Sequence, residues 1–181
     1  MSGQLNYIVG DATEPIGDDK KMIIHCCNDI GGWGSGFVVA LSRKWSQPQN
    51  NYHNWYRAKY DEYSGQEFTL GNVQYVYIDD NTVVCNMIGQ RGIGWSNGRP
   101  PVRYGALASC LEKAAEYALK YGYSIHAPRF GAVLAGGEWA DIEWLIKKII
   151  LPYGIDVTIY DLPISEDHSE LIKQRHGMDL F

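Results

Sequence analysis

Two glycine-rich stretches are the parts of this chain best suited to chemistry. One is Gly31-Gly32-Trp33-Gly34-Ser35-Gly36; the other is Pro128-Arg129-Phe130-Gly131-Ala132-Val133-Leu134-Ala135-Gly136-Gly137. Glycine lets backbone N–H groups turn inward and approach an anion closely. A following helix adds the positive end of its dipole. Two such loops facing each other could clamp a diphosphate. Neither shows G-x-G-x-x-G with an acid about 20 residues on, nor G-x-x-x-x-G-K-[ST], which disfavours an ordinary dinucleotide fold and a P-loop NTPase. The structural alternative gives these glycines to tight turns and close helix–sheet packing.

Of the five histidines (His25, His53, His126, His168 and His176), only His25 and His126 end strand-like runs. Histidine is the side chain that most readily exchanges a proton near pH 7. His25 reads as a general acid/base or as an attacking nucleophile. The alternative is a buried, hydrogen-bonded structural histidine. Asp11 follows Gly10 at the end of the first strand and suits an exocyclic amine; a turn or helix cap is its competing role. Arg91, Arg99 and Arg103 flank a polar loop at 89–100, where a guanidinium could grip a terminal phosphate or simply be solvated. Trp33 and Trp95 could stack on a ligand or cover it. Trp139, and the run Tyr52, Trp55, Tyr56, Tyr60 and Tyr63, read as core. His168 and His176 read as solvated. Cys26, Cys27, Cys85 and Cys110 show no C-x-x-C or Cys/His ligand spacing. They read as buried thiols in a reducing compartment, and neither a metal nor a cofactor is expected.

These residues need elements to position them. Strand patterns cover 5–9, 21–28, 73–78, 82–88, 124–127 and 156–162; helix patterns cover 37–45, 50–63, 102–121 and 138–151. Asp79-Asp80-Asn81 turns two of the strands into a hairpin. The alternation predicts an α/β domain whose sheet is mostly parallel, covered on both faces and made mixed by the hairpin. In open sheets of this kind ligands bind at the carboxyl ends of the strands, where both glycine loops fall. The 181 residues read as one domain, with a core at 5–162 and a peripheral tail at 163–181. Sixteen Lys+Arg against 21 Asp+Glu give a net charge of −5, which argues against extended nucleic-acid binding but allows a single nucleotide. The 13 Tyr and 6 Trp suit stacking on planar ligands. No apolar run approaches about 20 residues, and the N-terminus lacks a basic segment before an apolar one. A protein without membrane contact is therefore expected, in the cytoplasm or nucleocytoplasm, a bacterial or phage-host cytoplasm included.

Several motifs in order resemble one known family. Val9-Gly10-Asp11-Ala12-Thr13, then Ile24-His25-Cys26-Cys27-Asn28 and the Gly31–Gly36 loop, resemble the macrodomain, an ADP-ribose-binding fold. Ala127-Pro128-Arg129-Phe130-Gly131 through Trp139 is similar to that family's second phosphate loop. The resemblance covers most of 5–162 and implies a three-layer α/β/α domain with a mixed, mostly parallel central sheet. Within the family, His25-Cys26-Cys27-Asn28 replaces the Asn-Ala-Ala-Asn of the common ADP-ribosylhydrolase branch. With Gly32-Trp33-Gly34-Ser35-Gly36 it is closer to the ADP-ribose 1''-phosphate phosphatases. The terminal ADP-ribose protein glycohydrolases use a second-loop Asp and an upstream Lys, whereas Ala135 stands at the matching position and no acid lies between Arg129 and Gly137. Val133 departs from the glycine of many relatives. The resemblance implies Asp11, with Ala12 beside it, at adenine N6. It implies a first phosphate loop of Gly34, Ser35, Gly36 and Phe37 and a second of Gly131, Ala132, Val133 and Leu134, with Gly32, Trp33, Arg129 and Phe130 also binding the ligand. Asn28 would sit by the distal ribose and His25 at or behind its 1'' position. The implied ligands are ADP-ribose, its 1''-phosphate and ADP-ribosylated protein. The implied activities are a phosphatase, a non-catalytic reader or a mono-ADP-ribosylhydrolase.

Overall fold

The computed structural model describes residues 1–163. Its strands are β1 (Leu5–Val9), β2 (Lys20–Asn28), β3 (Tyr60–Asp61), β4 (Gln66–Glu67), β5 (Val73–Asp79), β6 (Thr82–Gln90), β7 (Tyr123–Ala127) and β8 (Val157–Asp161). Its helices are α1 (Phe37–Lys44), α2 (Gln47–Ala58), α3 (Tyr104–Tyr121) and α4 (Trp139–Ile149). Six strands form one sheet in the order β1-β8-β7-β2-β6-β5. All neighbours run parallel except the β5–β6 hairpin. The domain is thus α/β with a mixed, mostly parallel sheet.

Alternation along the buried strands sorts the two faces. Met22 and Ile24 of β2, with Val83, Cys85 and Met87 of β6, pack against α3 and α4. Ile23 and Val84 turn the other way, toward Leu41 of α1. Cys27 and Ile88 join Tyr52 and Trp55 of α2 on that same side. The buried polar residues on these strands are Lys21, His25, Asn28, Gln74, Asn86 and His126. No described helix is long and apolar enough to cross a membrane.

One expected boundary is wrong. The helix pattern at 50–63 ends at Ala58, where Lys59 takes a left-handed conformation with φ 64°. Asp61 Oδ2 accepts from Ser64 N at 2.8 Å, and Gly65 sits at φ 65°, so the chain turns into the β3–β4 hairpin. Tyr52 and Trp55 are core, but Tyr60 and Tyr63 are exposed. The helix also begins earlier, at Gln47, because Pro48 is well suited to a first turn. The expected tail, with His168 and His176, lies outside the described residues.

Candidate functional site

The carboxyl ends of β1, β8, β7 and β2 border a cleft of about 700 Å³, the size of a cofactor site. The sheet order fixes the sequence of groups along it. Asp11 and Asp161 stand at one end, the second glycine loop next, then the first, with Gln90 of β6 beyond. Asp11, Ala12, His25, Asn28, Gly32, Gly34, Ser35, Gly36 and Phe37 all line it. So do Arg129, Phe130, Gly131, Ala132 and Leu134.

The loops meet across its middle. Gly36 caps α1 at φ 82°, and a Cβ there would lie 2.9 Å from Leu134 Cδ1. The exposed Leu134 methyl could yield, but φ 82° with ψ −147° is open to glycine alone. The second loop folds differently from expectation. A 3-10 turn, Val133–Ala135, interrupts it before α4, and Gly137 N donates to Gly131 O at 2.9 Å.

At the Asp11 end, Asp11 Oδ1 accepts from Thr13 N and Thr13 Oγ1, both at 2.8 Å. The cap thus uses one oxygen and leaves Oδ2 unbonded among the described residues. Arg129 grips Asp161 through both Nε and Nη2, at 2.6 and 3.0 Å. Its guanidinium lies over the rings of Tyr7 and Trp139. This pairing holds the Asp161 carboxyl below its usual range. Tyr160 also lines the cleft, and its hydroxyl accepts from Ile16 N.

At the other end, Asn28 is largely committed to its own loop. Its Oδ1 accepts from Ile30 N, Gly32 N and the Tyr52 hydroxyl, and its Nδ2 donates to Gly32 O. One Nδ2 hydrogen remains. His25 is 2% exposed, with Trp33 and Phe37 against its ring. Its register partner Asn86 accepts from it at 2.5 Å. The neighbouring bonds fix the proton. Gln74 Nε2 donates to Asn51 O, so Gln74 Oε1 accepts from Asn86 Nδ2, which also faces Pro48 O. Asn86 Oδ1 is then the acceptor, His25 Nε2 carries the hydrogen, and Nδ1 keeps its lone pair. Burial lowers the His25 pKa to about 4, so the ring is neutral at pH 7.

His126 is solved in the same way. Ser124 Oγ donates to Lys20 O and accepts from His126 Nε2, leaving Nδ1 to accept from the Tyr160 hydroxyl. Burial also brings His126 to about 4. It sits behind the cleft and does not line it.

Other expectations fail on geometry. Trp33 is turned inward: its Nε1 donates to Ser42 Oγ at 2.8 Å and its ring packs on Tyr52. It neither stacks in the cleft nor covers it. Arg91, Arg99 and Arg103 do not line the cleft. Cys26 does, but burial pushes its thiol up to about 12, so it is no thiolate. Ala135 is buried and its carbonyl accepts from Val102 N. Cleft residues that the sequence did not single out include Cys26, Cys27, Val38, Ala40, Gln90, Ile93, Tyr160, Asp161 and Leu162. Asp161 falls at the end of a strand pattern, whereas Gln90 enters because β6 runs two residues beyond its expected end.

No protein-family model matches the chain. Solved structures do. A macrodomain protein from Streptomyces coelicolor is 43% identical, with a TM-score of 0.74; the match covers 87% of this chain and 99% of that one. This chain belongs to the macrodomain family. A Bacteroides thetaiotaomicron protein of unknown function is 47% identical, covers 88% of this chain and 99% of its own, and has a TM-score of 0.84. The Mycobacterium tuberculosis DarG macrodomain has the same fold at 18% identity and a TM-score of 0.66, over 87% of this chain and 97% of its own. The chain also matches chromodomain-helicase-DNA-binding protein 1-like of Mus musculus, 30% identical over 91% of this chain. It spans only 18% of that relative's length.

Proposed function

We propose that the cleft of this macrodomain binds ADP-ribose, free or attached to a protein. One observation carries the reading: two glycine loops meet across a strand-end cleft that has a free carboxylate oxygen at one end. Adenine would lie at Asp11, its exocyclic amine donating to Oδ2. The diphosphate would lie between the loops at Gly34–Phe37 and Gly131–Leu134. The distal ribose would lie toward Asn28, whose remaining Nδ2 hydrogen can meet a hydroxyl. Part of a Thermosipho africanus DarTG protein, solved with ADP-ribose, has the same fold, which supports this reading.

His25 favours a second reading, hydrolysis of ADP-ribose 1''-phosphate. Its Nδ1 lone pair can take a proton from an attacking water as the P–O bond breaks. The departing ribose oxygen takes its proton from solvent. A buried neutral ring is a weak base and no acid, so the geometry supports binding better than turnover.

Phosphorus NMR of ADP-ribose 1''-phosphate with the protein tests both. Shifted or broadened diphosphate signals without inorganic phosphate are expected. Growth of inorganic phosphate, lost in His25→Ala with ADP-ribose affinity intact, would establish the phosphatase. Unchanged spectra would overturn the binding assignment itself.

A further inference from the structure

The loop after β6 lies at the cleft's Asn28 end, and ADP-ribose binding leaves its most unusual residues unused. Residues 89–103 hold Arg91, Arg99 and Arg103 and no acid, on a chain of net charge −5. Arg103 serves its own loop, its Nη1 donating to the carbonyls of Pro100, Pro101 and Val102. Arg91 and Arg99 are exposed, and neither is among the described ion pairs. Between them Ile93 and Trp95 are 59% and 63% exposed.

The loop is held in place. Asp29 Oδ1 accepts from Gly92 N at 2.8 Å, and Arg91 N donates to Pro101 O at 2.8 Å. Ile93 lies on Gly32 of the first glycine loop, and Trp95 lies on Gly136 of the second. Ile93 therefore edges the cleft where the distal ribose would leave it, with Arg91 two residues before it, while Arg99 lines a second hollow with Leu70, Gly71, Tyr104 and Ser109.

We propose that this loop reads the polypeptide to which ADP-ribose is attached, selecting acidic residues beside the modified side chain. The proposal rests on the ADP-ribose reading of the cleft. Two exposed cations, neither in an ion pair among the described residues, attract a short acidic segment locally on a chain of net charge −5. A long nucleic-acid strand would run onto the net-negative remainder, which disfavours it. Ile93 and Trp95 supply an apolar shelf for the peptide between its charges.

The test uses peptides carrying ADP-ribose by a non-hydrolysable link from the terminal ribose, with acidic, neutral or basic flanks. Calorimetry compares their Kd values with that of free ADP-ribose. At low salt the acidic-flanked peptide should bind roughly three- to tenfold tighter than the neutral one, the range two exposed ion pairs provide. Raising salt to about 0.5 M should erase most of that advantage. Arg91→Glu with Arg99→Glu should reverse the peptide order and leave free ADP-ribose within about twofold, since screening limits their reach. Equal Kd values for the three peptides, or a preference that survives the double variant, overturn the proposal alone. Tighter binding of an ADP-ribosylated single-stranded oligonucleotide than of the acidic peptide overturns the polypeptide as occupant. If the unaltered protein does not bind free ADP-ribose, the cleft reading falls and takes this proposal with it.

Discussion

The two ends of the cleft are polar for opposite reasons. At the Asp11 end polar atoms are on offer: Asp11 keeps one oxygen unbonded among the described residues, and Arg129 and Asp161 pair near solvent. At the Asn28 end they are consumed. Asn28 makes four bonds to its surroundings, and His25 donates into a ladder through Asn86 and Gln74 that crosses three strands. The difference teaches that a functional-looking residue at a strand end is not thereby available to a ligand. Availability depends on what the rest of the fold has already claimed.

Acid should blur this comparison with the largest effect, because each end leans on one buried neutral histidine. His126 supports the Asp11 end through Tyr160; His25 lies under the Asn28 end. Both titrate near 4 when folded, against 6.5 when unfolded. Across that window the unfolded chain binds more protons, so stability is full above about 6.5 and falls as pH drops toward 4. The loss is roughly 3 kcal/mol per histidine, at about 1.4 kcal/mol per pKa unit. Urea midpoints at several pH values measure it, and His25→Gln or His126→Gln should each remove about half of the slope. Equal stability at pH 7 and 4.5 would show that neither ring is held neutral.

Two substitutions then separate the ends. Asn28→Ala strands the groups it satisfies and should cost about 2–4 kcal/mol of stability, lowering Tm by several degrees. Its effect on ADP-ribose combines the loss of one hydrogen bond to a ribose hydroxyl with any shift of the first glycine loop. Asp11→Ala should lower stability by about 1 kcal/mol, the worth of a lost cap. It should raise the Kd for ADP-ribose about 10- to 100-fold, the worth of a charged hydrogen bond. A hypoxanthine analogue, which lacks the amine, should bind both proteins alike. If Asp11→Ala melts the fold and spares affinity, the two ends have been assigned the wrong way round.

The fold was legible because buried parallel strands are near-continuous apolar runs between turn residues. Met22–Cys27 and Val83–Ile88 could hardly be read otherwise. The glycine loops were legible because Gly36 has a backbone reason to be glycine. The β3–β4 hairpin was missed because Tyr60 and Tyr63 continue an aromatic helical spacing, while the break rests on one Lys at positive φ. Trp33 was misread because its fate depends on Ser42 and Tyr52, which the helices bring to it. Asn86 and Gln74 carried no signal at all. They matter only through register with His25, a relation between strands far apart in the chain.

The smallest effect tests how the Asp11 end is held. Arg129→Lys keeps the charge but loses the two-pronged grip on Asp161 and the flat stacking against Tyr7 and Trp139. Both partners are about two-fifths exposed, so the pair is screened and stability should change by less than about 1 kcal/mol. Affinity has more to lose, because Asp161 also seats the chain leading into Asp11: its carbonyl accepts from Gly10 N at 2.8 Å. A looser Asp161 should let Asp11 shift and cost about two- to threefold in the Kd for ADP-ribose, the scale of one exposed pair. Calorimetry at low and high salt separates the terms, since screening weakens the Coulomb part of the grip but not the stacking. An affinity loss as large as that of Asp11→Ala would mean that the ion pair, not the free oxygen of Asp11, makes this end receptive. Both ends would then depend on internal pairing, and the contrast between them would collapse.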